Sequence, residues 1–369
     1  MNQMNKSFRQ VEPRWSTFIH AKGAEKGLPI AGNFELTTRC NFRCRMCYIH
    51  DQQNPDMSAA EWIGIGRSAA EKGMVFLLLT GGEPFLRPDF PEIYEALYKL
   101  GLLISINTNG SLIDDRMFAF LVKHPPARMN ISLYGCSEDT YTRLCGVPAY
   151  EKVKNNIIRL KEAGISVKLN ASITPYNAAD IEGIYAFADT IQVPVQGTTY
   201  MYPPVRVNGC QYGCAPARFT AEEAAKYMLK CREQYLTPEQ LSSSLMTVQD
   251  EDSDCSGMEE GENMRCRAGK TAFWVTWDGR ILPCGMFPDA GYRIADMGFD
   301  AAWEAVRSYT NTIRLPKECR GCSLKKQCCA CAASVIAETG SASIRPEYIC
   351  RMTETMVQLI TEKYGKAEE

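Results

Sequence analysis

The octapeptide CNFRCRMC at residues 40–47 carries three cysteines, Cys40, Cys44 and Cys47, on one short loop. A short apolar run at residues 34–38 precedes the loop and is predicted to be a buried strand. Three thiolates this close can bind three irons of an iron–sulfur cubane and leave the fourth iron open to an external chelator. A three-cysteine zinc site is one alternative, although structural zinc sites normally have four ligands, and chance clustering is another. The spacing therefore favours an iron–sulfur cluster with one open iron.

The rest of the chain has the composition of an ordinary globular protein. Its 369 residues are 45% hydrophobic and 23% charged, with a formal net charge of -2. This length suggests about two or three domains. Because there is no global basic field, nucleic acid is not an expected partner. No stretch is apolar and long enough to span a bilayer, and residues 1–30 lack a signal-peptide pattern. We therefore expect a cytoplasmic protein with no membrane partner.

Cysteine usage indicates metal chemistry. The chain has 17 cysteines, an odd number that excludes complete internal disulfide pairing. A reducing cytosol also disfavours disulfides. With only 3 histidines, the chain has little material for a His-rich zinc or acid–base site. We therefore expect the cysteines to serve metal binding or catalysis.

Strand-like and helix-like segments alternate from residue 34 to about residue 200. The predicted strands cover residues 34–38, 75–80, 102–107, 129–134 and 167–173. The predicted helices cover residues 58–72, 90–100, 114–122, 150–163 and 179–190. Strand and helix repeated about six times predict an α/β protein, a partial (β/α)6 TIM-like barrel with parallel strands and right-handed crossovers. Chemistry is then expected at the carboxyl ends of the strands.

Small polar residues stand at those predicted strand ends. The second strand runs into Gly81, Gly82, Glu83 and Pro84; the third ends in Asn107, Thr108 and Asn109; and the fourth carries Ser132. Paired glycines let the backbone approach a ligand closely, and Glu83 offers a carboxylate to an ammonium group. Small polar groups at successive strand ends suit a ribose and an amino-acid carboxylate. Ordinary turn chemistry would explain any one of them alone.

A second cysteine-rich region occupies the C-terminal third. Residues 273–277 and 281–283 flank Asp278-Gly279, which predicts a two-residue β-hairpin. The cysteines of this region are Cys255, Cys266, Cys284, Cys319, Cys322, Cys328, Cys329, Cys331 and Cys350. They suffice for two four-cysteine clusters, and a structural zinc ribbon is the alternative. We expect an N-terminal extension at residues 1–32, the barrel at 33–215, a helical and acidic linker at 216–254, and the cysteine-rich module with a C-terminal helix at 255–369.

In this order, these residues resemble the radical S-adenosylmethionine (radical SAM) superfamily. The match covers the cysteine loop, the Gly81–Pro84 motif, residues 107–110, and a run from residue 131 through Arg143 to residue 177. The resemblance implies that Cys40, Cys44 and Cys47 bind a [4Fe–4S] cluster, and that SAM chelates its open iron. Reduction then cleaves SAM to methionine and a 5′-deoxyadenosyl radical, which abstracts a hydrogen atom.

The same resemblance assigns SAM contacts to individual residues. Glu83, within the Gly81-Gly82-Glu83-Pro84 turn, is expected to contact the amino group of SAM. Ser132 is expected at the ribose or carboxylate, Arg143 at the carboxylate, and Tyr48 near the adenine. Asn107 and Asn109 complete the expected SAM-binding set.

The C-terminal region resembles the SPASM extension of radical SAM enzymes, which carries two auxiliary [4Fe–4S] clusters. This implies that Cys266, Cys284 and Cys331, together with Cys255, hold the first auxiliary cluster. Cys319, Cys322, Cys328 and Cys350 are implied to hold the second. Two alternatives stay open: Cys329 replaces its neighbour Cys328 as a ligand, and the first cluster lacks Cys255 and keeps an open iron.

SPASM-bearing enzymes mostly modify ribosomally made peptides, so the resemblance implies a peptide maturase. A thioether or other cross-link is the first expectation, and epimerisation or side-chain oxidation comes next. Cys210 and Cys214 are candidate hydrogen-atom donors, although two unliganded thiols are the plainer interpretation. The rival hypotheses are a dehydrogenase or epimerase of a small molecule such as a sugar or aminocyclitol, and a non-enzymatic iron–sulfur electron-transfer protein.

The expected partners follow from that chemistry. They are a peptide substrate or a small molecule, and an electron donor such as flavodoxin or ferredoxin. About 33 residues precede the barrel, whereas a fused leader-binding domain would need roughly 50 or more. For a peptide substrate we therefore expect either direct recognition or a separate leader-peptide-binding protein.

Overall fold

One sheet of nine strands runs through the part of the chain that the structure describes. The structure is a computed structural model and describes residues 14–49, 55–204, 212–215, 217–246, 264, 266–288 and 291–365. The strands are β1 (Ala31–Glu35), β2 (Phe76–Thr80), β3 (Leu103–Thr108), β4 (Arg128–Ser132), β5 (Val167–Ser172), β6 (Val195–Thr198), β7 (Ala272–Val275), β8 (Arg280–Leu282) and β9 (Tyr292–Arg293). Their order in the sheet is β6-β5-β4-β3-β2-β1-β7-β8-β9.

Helices cover the sheet and extend beyond it. Within the described residues they are α1 (Arg14–Lys26), α2 (Ala59–Glu71), α3 (Phe90–Lys99), α4 (Asp115–Lys123), α5 (Glu138–Cys145), α6 (Tyr150–Glu162), α7 (Ile181–Thr190), α8 (Ala221–Glu233), α9 (Pro238–Met246), α10 (Ile294–Thr312), α11 (Ala332–Thr339) and α12 (Glu347–Tyr364). None of the described helices is both apolar enough and long enough to cross a bilayer.

The first six strands form the predicted barrel. All five pairings from β1 to β6 are parallel, and at least one helix follows each strand. This confirms the predicted α/β class with a partial (β/α)6 TIM-like barrel. Because the strands are parallel, their carboxyl ends lie at one edge of the sheet, where barrel enzymes carry their sites.

The barrel core is made by side chains that the strands and helices both bury. Phe34 of β1 and Leu79 of β2 are fully buried neighbours in the sheet. Trp62 of α2 packs on Phe34 with ring centroids 5.0 Å apart. A reciprocal capping box between Ser58 and Glu61 begins α2, so this helix starts at a fixed residue soon after the cysteine loop.

The first strand begins earlier than the sequence predicts. The pairing of β1 spans Ala31–Glu35, whereas the apolar run predicted residues 34–38. The backbone beyond β1 instead lies along the turn that follows β2. The N–H of Gly82 donates to the carbonyl of Thr37 at 2.7 Å, and the N–H of Glu83 donates to the carbonyl of Arg39 at 2.8 Å. These bonds bring the cysteine loop to the carboxyl end of β2.

The C-terminal hairpin extends the barrel sheet. β7 pairs with β1 in parallel, and β8 returns antiparallel to β7. The hairpin prediction is therefore confirmed, but its two-residue turn is wrong. The amide of Thr276 bonds the carbonyl of Arg280 at 2.9 Å, so three residues make the connection, and of these only Gly279 has a positive φ, at 82°. The side chain of Asp278 instead accepts a hydrogen bond from the Thr276 hydroxyl at 2.7 Å.

Candidate active site

The cysteine loop is anchored to the C-terminal end of α5. The N–H groups of Arg43 and Arg45 donate to the carbonyls of Cys145 and Leu144 at 2.8 and 3.0 Å. Phe42 and Met46, which alternate with the cysteines, are buried in the barrel core. Cys40, Cys44 and Cys47 themselves remain partly exposed. The loop is therefore fixed on the protein through its backbone, while its three cysteines remain partly exposed.

The three thiols share one electrostatic environment. Burial raises the pKa of Cys40 and of Cys47 to about 11, and the neighbouring thiols add to both shifts. A hydrogen bond with Cys145, followed by burial, raises the pKa of Cys44. Iron binds thiolates, so metal loading at this loop must displace protons that the apo-protein retains. Cys145 contacts Cys44 through the long-range packing of α5, and no local sequence pattern selects Cys145 for this site.

Glu83 links the ends of β2 and β3 beneath this loop. Its carboxylate is fully buried and accepts hydrogen bonds from the Thr108 hydroxyl at 2.8 Å, the Asn109 N–H at 2.7 Å and the Phe85 N–H at 3.1 Å. Burial raises the pKa of Glu83 to about 7, and the three hydrogen bonds oppose that shift. The negative charge of Glu83 also contributes to the raised pKa of Cys40, so the carboxylate and that thiol are close neighbours.

The two glycines before Glu83 make room for backbone. A Cβ atom at Gly82 would stand 2.3 Å from the carbonyl oxygen of Arg39, and one at Gly81 would stand 2.5 Å from that of Thr37. Pro84 begins a short 3-10 turn directly after Glu83. In the structure, the backbone that leads from β1 into the cysteine loop passes so close to Gly81 and Gly82 that neither position has room for a side chain.

The two asparagines that were predicted to bind SAM have different neighbours. Asn109 donates from Nδ2 to Asn41 Oδ1 at 2.9 Å, and the same atom lies 3.8 Å from Cys40 Sγ. Asn107 accepts from Asn130 at 2.8 Å, which joins β3 to β4. The structure therefore brings Asn109 to the cysteine loop, whereas the side chain of Asn107 contacts the neighbouring strand.

Ser132 and Tyr48, two further residues predicted to contact SAM, lie near the same loop. Ser132 ends β4 and hydrogen bonds with Tyr134, a residue that sequence analysis did not single out. Burial raises the pKa of Tyr134, and its environment includes the thiols of Cys44 and Cys47. Tyr48, next to Cys47, is half-buried. In the sequence, only the alternation of strand residues points to Tyr134. It lies two positions beyond Ser132, so the two side chains are expected on the same face of the strand.

Arg143 is exposed on α5. Its guanidinium pairs with Asp139 at 2.9 Å, one helical turn earlier. Its carbonyl oxygen accepts a hydrogen bond from Arg45 of the cysteine loop at 2.8 Å. In the structure, the main chain of Arg143 contacts the loop, while its side chain forms a surface ion pair.

Four cysteines of the C-terminal region line one cavity of about 350 Å³: Cys319, Cys322, Cys328 and Cys350. Burial raises the pKa of Cys319 to about 11, and the other three thiols each raise it further. Cys328 lies on the cavity wall, whereas its neighbour Cys329 is exposed. The structure thus assembles the cysteines that were assigned to the second auxiliary cluster.

A separate group of three cysteines packs on a small apolar cluster. Cys266, Cys284 and Cys331 all contact this cluster, whose buried members include Leu282 and Phe287. The hydroxyl of Tyr202 lies 3.9 Å from Cys331 Sγ. Cys255, the fourth predicted ligand, lies outside the described residues. These three cysteines are those assigned to the first auxiliary cluster.

Cys214 and Cys210 are the candidate hydrogen-atom donors. Cys214 is exposed. Its neighbour Gly213 donates from its N–H to the carbonyl of Ala337 on α11 at 2.9 Å, so this loop rests on the C-terminal region. Cys210 lies outside the described residues.

The donor set of each group fits an iron–sulfur cluster. Thiolates are the ligands that such clusters use, with one protein ligand for each bound iron. In the described part of the chain, no three His, Cys, Asp or Glu side chains stand close enough together to hold a single metal ion. A four-iron cubane is a larger body than one ion and takes its thiolates from around its corners. The cavity lined by Cys319 has room for such a body.

Comparison with known proteins identifies the barrel. Residues 34–188 match the family model described as the radical SAM superfamily. These residues are a radical SAM domain. Its cofactors are S-adenosylmethionine and a [4Fe–4S] cluster.

Two relatives align over most of the radical SAM chain. The AdoMet-dependent heme synthase of Methanosarcina barkeri is 24% identical over 327 residues, which cover 83% of this chain and 92% of the relative. The PqqA peptide cyclase of Rhizobium meliloti is 25% identical over 350 residues, which cover 90% of this chain and 91% of the relative. The chain is therefore a radical SAM enzyme related to the PqqA peptide cyclases, and the hypothesis of a non-enzymatic electron carrier is set aside.

Two solved structures share the fold beyond the barrel. SuiB of Streptococcus suis, bound to its precursor peptide SuiA, has a TM-score of 0.65 and 19% identity, covering 95% of this chain and 83% of SuiB. The enzyme anSMEcpe, with AdoMet and the Cp18Cys peptide, has a TM-score of 0.69 and 16% identity, covering 91% of this chain and 98% of anSMEcpe. Both alignments extend far past residue 188, so the cysteine-rich C-terminal region belongs to the shared fold.

Proposed function

We propose that this radical SAM enzyme modifies a peptide by hydrogen-atom abstraction and forms a cross-link, with a thioether as the first candidate. One observation carries the proposal. The chain combines the cysteine loop of a radical SAM domain with two further cysteine groups in a fold shared by enzymes solved with bound peptides. A PqqA peptide cyclase aligns over 90% of the chain at 25% identity, which supports the same class of substrate.

The N-terminal loop would hold the SAM-binding cluster. Cys40, Cys44 and Cys47 would each bind one iron. When bound, the cluster and SAM supply one-electron cleavage of the sulfonium and abstraction of a hydrogen atom. The protein contributes position, because α5 fixes the backbone of the loop through Arg43 and Arg45 before metal arrives.

The strand ends beside the loop would bind SAM. Glu83 is a buried carboxylate that interacts electrostatically with Cys40, and ionised Glu83 would hold the SAM ammonium in a setting of low dielectric. Asn109 would orient both Glu83, through its N–H, and the loop, through its side chain. Ser132 would serve the ribose or carboxylate, and Tyr48 would lie near the adenine. For Arg143 the role requires that its side chain leave Asp139.

The C-terminal cysteines would hold the two auxiliary clusters. Cys266, Cys284 and Cys331, with or without Cys255, form the first set, and the four cysteines of the 350 Å³ cavity form the second. Forming a cross-link removes two hydrogens from the peptide. One leaves as a hydrogen atom, and the other leaves as a proton and an electron. An electron acceptor is therefore needed, and the auxiliary sites would provide it.

A variant in the loop tests the SAM assignment. Cys44→Ala should abolish the formation of 5′-deoxyadenosine from SAM, while iron and its visible absorbance persist in the C-terminal region. Cys231→Ala removes a buried thiol of α8 and is the matched control, because Cys231 belongs to none of the three sets. Unchanged nucleoside production by Cys44→Ala would disprove the assignment.

The substrate class needs a second experiment. The neighbouring open reading frames are searched for a short cysteine-containing peptide, which is co-expressed with the enzyme and analysed by mass spectrometry. A thioether product should lose two hydrogen atoms, resist reduction and fail to take up iodoacetamide at the linked cysteine. Co-expression with Cys44→Ala should leave the peptide unmodified. A peptide of unchanged mass with the active enzyme would contradict the proposal.

The heme synthase relative favours a second candidate. It aligns over 92% of its own length at nearly the same identity as the peptide cyclase, and its name denotes a non-peptide substrate. A small-molecule dehydrogenase or epimerase therefore stays the rival function. Formation of 5′-deoxyadenosine that depends on a peptide-free small-molecule extract would favour it.

A further inference from the structure

Tyr202 joins the carboxyl end of the barrel to one of the C-terminal cysteines. It lies in the segment that follows β6, and its hydroxyl is 3.9 Å from the Sγ of Cys331, within hydrogen-bonding distance for a sulfur atom. The two residues are 129 positions apart in the chain, so the fold and not the local sequence makes this contact. The thiol of Cys284 also acts on Tyr202 electrostatically. Tyr202 therefore stands beside two of the three cysteines assigned to the first auxiliary cluster.

Neighbouring contacts hold the ring of Tyr202 in place. It packs edge-on against the ring of Tyr200, with the ring centroids 4.8 Å apart. The hydroxyl of Tyr200 donates to Glu338 of α11, the helix that begins directly after Cys331. Between the two tyrosines, Met201 is buried in the barrel core. Tyr202 and Cys331 thus belong to two elements that are bonded to each other, which fixes the approach of the hydroxyl to the sulfur.

Cys331 presents its sulfur in a direction that α11 sets. Cys331 is the N-terminal capping residue of this helix, and its Sγ accepts a hydrogen bond from the N–H of Ser334 at 3.5 Å. The hydroxyl of Ser334 in turn accepts from the N–H of Cys331 at 2.9 Å. This reciprocal pair orients the side chain of Cys331 before any metal binds. Tyr202 approaches the same sulfur from a different element of the fold.

Metal binding decides which atom of the Tyr202–Cys331 contact donates. In the apo-protein, either the hydroxyl or the thiol could supply the shared hydrogen. An iron-bound cysteine is a thiolate and has no proton to give. The tyrosine hydroxyl is then the donor and the sulfur is the acceptor.

We propose that Tyr202 raises the reduction potential of the first auxiliary cluster by donating a hydrogen bond to the thiolate of Cys331. The proposal rests on the function proposed above, in which Cys266, Cys284 and Cys331 hold that cluster. On reduction the cluster takes up one electron, and no bond to Cys331 forms or breaks. A donor at the ligand sulfur stabilises the added negative charge, and such hydrogen bonds are among the determinants of cluster potentials. Tyr202 is therefore a positioning residue that acts through Cys331 and makes the cluster a better electron acceptor.

The test measures cluster potentials in Tyr202→Phe, which removes the hydroxyl and keeps the ring. The parent protein carries Cys40→Ala, Cys44→Ala and Cys47→Ala, so that only the auxiliary clusters contribute to the signal. In a redox titration followed by electron paramagnetic resonance, one of the two auxiliary potentials should fall and the other should stay. The expected change in the equilibrium constant for reduction is up to about tenfold, or about 59 mV for one electron.

A control and a stronger donor exclude an effect of packing alone. Tyr185→Phe removes the hydroxyl of another buried tyrosine, which neighbours the thiol of Cys231, a cysteine in none of the three sets. This control should leave both auxiliary potentials unchanged. Site-specific 3-fluorotyrosine in place of Tyr202 has a more acidic hydroxyl, so it should raise the potential that Tyr202→Phe lowers. A purely structural role would not give shifts of opposite sign from two rings of nearly equal size.

Iron content separates the possible failures. Each variant should retain the iron of two auxiliary clusters, and unchanged potentials in Tyr202→Phe would then overturn the proposal. Loss of one cluster's iron from Tyr202→Phe would overturn it as well, because the hydroxyl would then serve to retain metal and not to tune its potential. Iron absent from the C-terminal region of the parent protein would instead overturn the cluster assignment in the proposed function.

Discussion

The carboxylate of Glu83 accepts a hydrogen bond from the backbone N–H of Asn109 at 2.7 Å, and this bond closes the ends of β2 and β3 beneath the cysteine loop. The carboxylate is fully buried, yet three donors reach it. Its pKa is raised from the usual 4.5 to about 7 because burial outweighs those hydrogen bonds. Glu83 is therefore expected to gain or lose its proton near neutral pH in the apo-protein.

This shift predicts how the stability of the apo-protein depends on pH. Between about pH 4.5 and 7 the folded protein keeps a proton on Glu83 that the unfolded chain has released. The contribution of Glu83 to the free energy of unfolding must then fall as pH rises through this window, by at most about 1.4 kcal/mol per pH unit. Urea unfolding of wild type and Glu83→Gln at a series of pH values measures this contribution, since Gln does not titrate. Parallel curves for the two proteins would contradict the raised pKa.

Gly82 is predicted to be intolerant of a side chain. A Cβ atom there would meet the carbonyl oxygens of Arg39 and Thr38 at 2.3 and 2.6 Å, and backbone atoms cannot move aside cheaply. Gly82→Ala should cost about 1–3 kcal/mol or more in the free energy of unfolding. It should also reduce iron loading of the cysteine loop, which these carbonyls precede.

Gly64 is the matched control for that change. It lies within α2, and a Cβ atom added to it would meet nothing within 4 Å. Gly64→Ala should stabilise the protein by about 0.5–1 kcal/mol, since glycine is unfavourable inside a helix. Equal effects of the two substitutions would show that the close approach at Gly82 does not constrain the protein.

Local sequence patterns were sufficient to predict the barrel and the cysteine loop. The apolar runs of β2 to β5 and the spacing of Cys40, Cys44 and Cys47 are features of short windows, and strand–helix alternation then defines the fold class. The pairing of β1 with β7 is of another kind. It joins residues about 240 positions apart, as in the hydrogen bond from Asn33 to the carbonyl of Phe273, and no local pattern encodes such a contact.

The same distinction holds within the candidate site. Cys145 reaches the cysteine loop only because α5 packs against it, so residue type and spacing gave no reason to select it. For Tyr134, strand alternation two positions beyond Ser132 was the only signal. In the C-terminal region we expected a helix at the end of the cysteine-rich module, and α12, an 18-residue helix, lies there and packs against α8. Residue spacing did not indicate that this helix also carries Cys350, which lies in its first turns.

Neighbouring cysteines allow a sharp test of the cavity. Cys328 lies on the wall with Cys319, Cys322 and Cys350, whereas Cys329 is exposed. Cys328→Ala should lower the iron content of the reconstituted enzyme by up to about four irons, the content of one [4Fe–4S] cluster. Cys329→Ala should retain full iron. The measurement is iron per protein together with the electron paramagnetic resonance of the reduced sample.

The opposite result has a clear meaning. Loss of iron from Cys329→Ala, with full retention by Cys328→Ala, would show that the neighbour is the ligand and that the segment turns when metal binds. Loss from both variants would indicate that the pair acts through the local backbone rather than through one sulfur.

Arg218 and Glu338 form a buried ion pair that joins the end of the barrel to the cysteine-rich region. Arg218 Nη2 lies 3.0 Å from both carboxylate oxygens of Glu338, and the two side chains are only 7% and 4% exposed. The guanidinium also stacks 3.3 Å from the ring centroid of Tyr348 and donates to the carbonyl of Gly213 at 2.9 Å. One side chain thus contacts the loop that carries Cys214, as well as α11 and α12.

Removing one member of this pair should be far more costly than removing both. Glu338→Ala leaves a buried guanidinium without its counter-charge and should cost about 3–5 kcal/mol in the free energy of unfolding. The double variant Arg218→Met, Glu338→Leu should cost less than Glu338→Ala alone, because no buried charge remains. Glu25→Ala breaks the exposed pair with Lys22, which has the same 3.0 Å separation, and should cost less than about 1 kcal/mol. Urea denaturation of the three variants gives the comparison.

Because α11 begins next to Cys331 and α12 carries Cys350, Glu338→Ala should also lower the iron retained by the C-terminal region. A Glu338→Ala protein as stable as Glu25→Ala, with full iron, would show that the pair does not hold the two regions together.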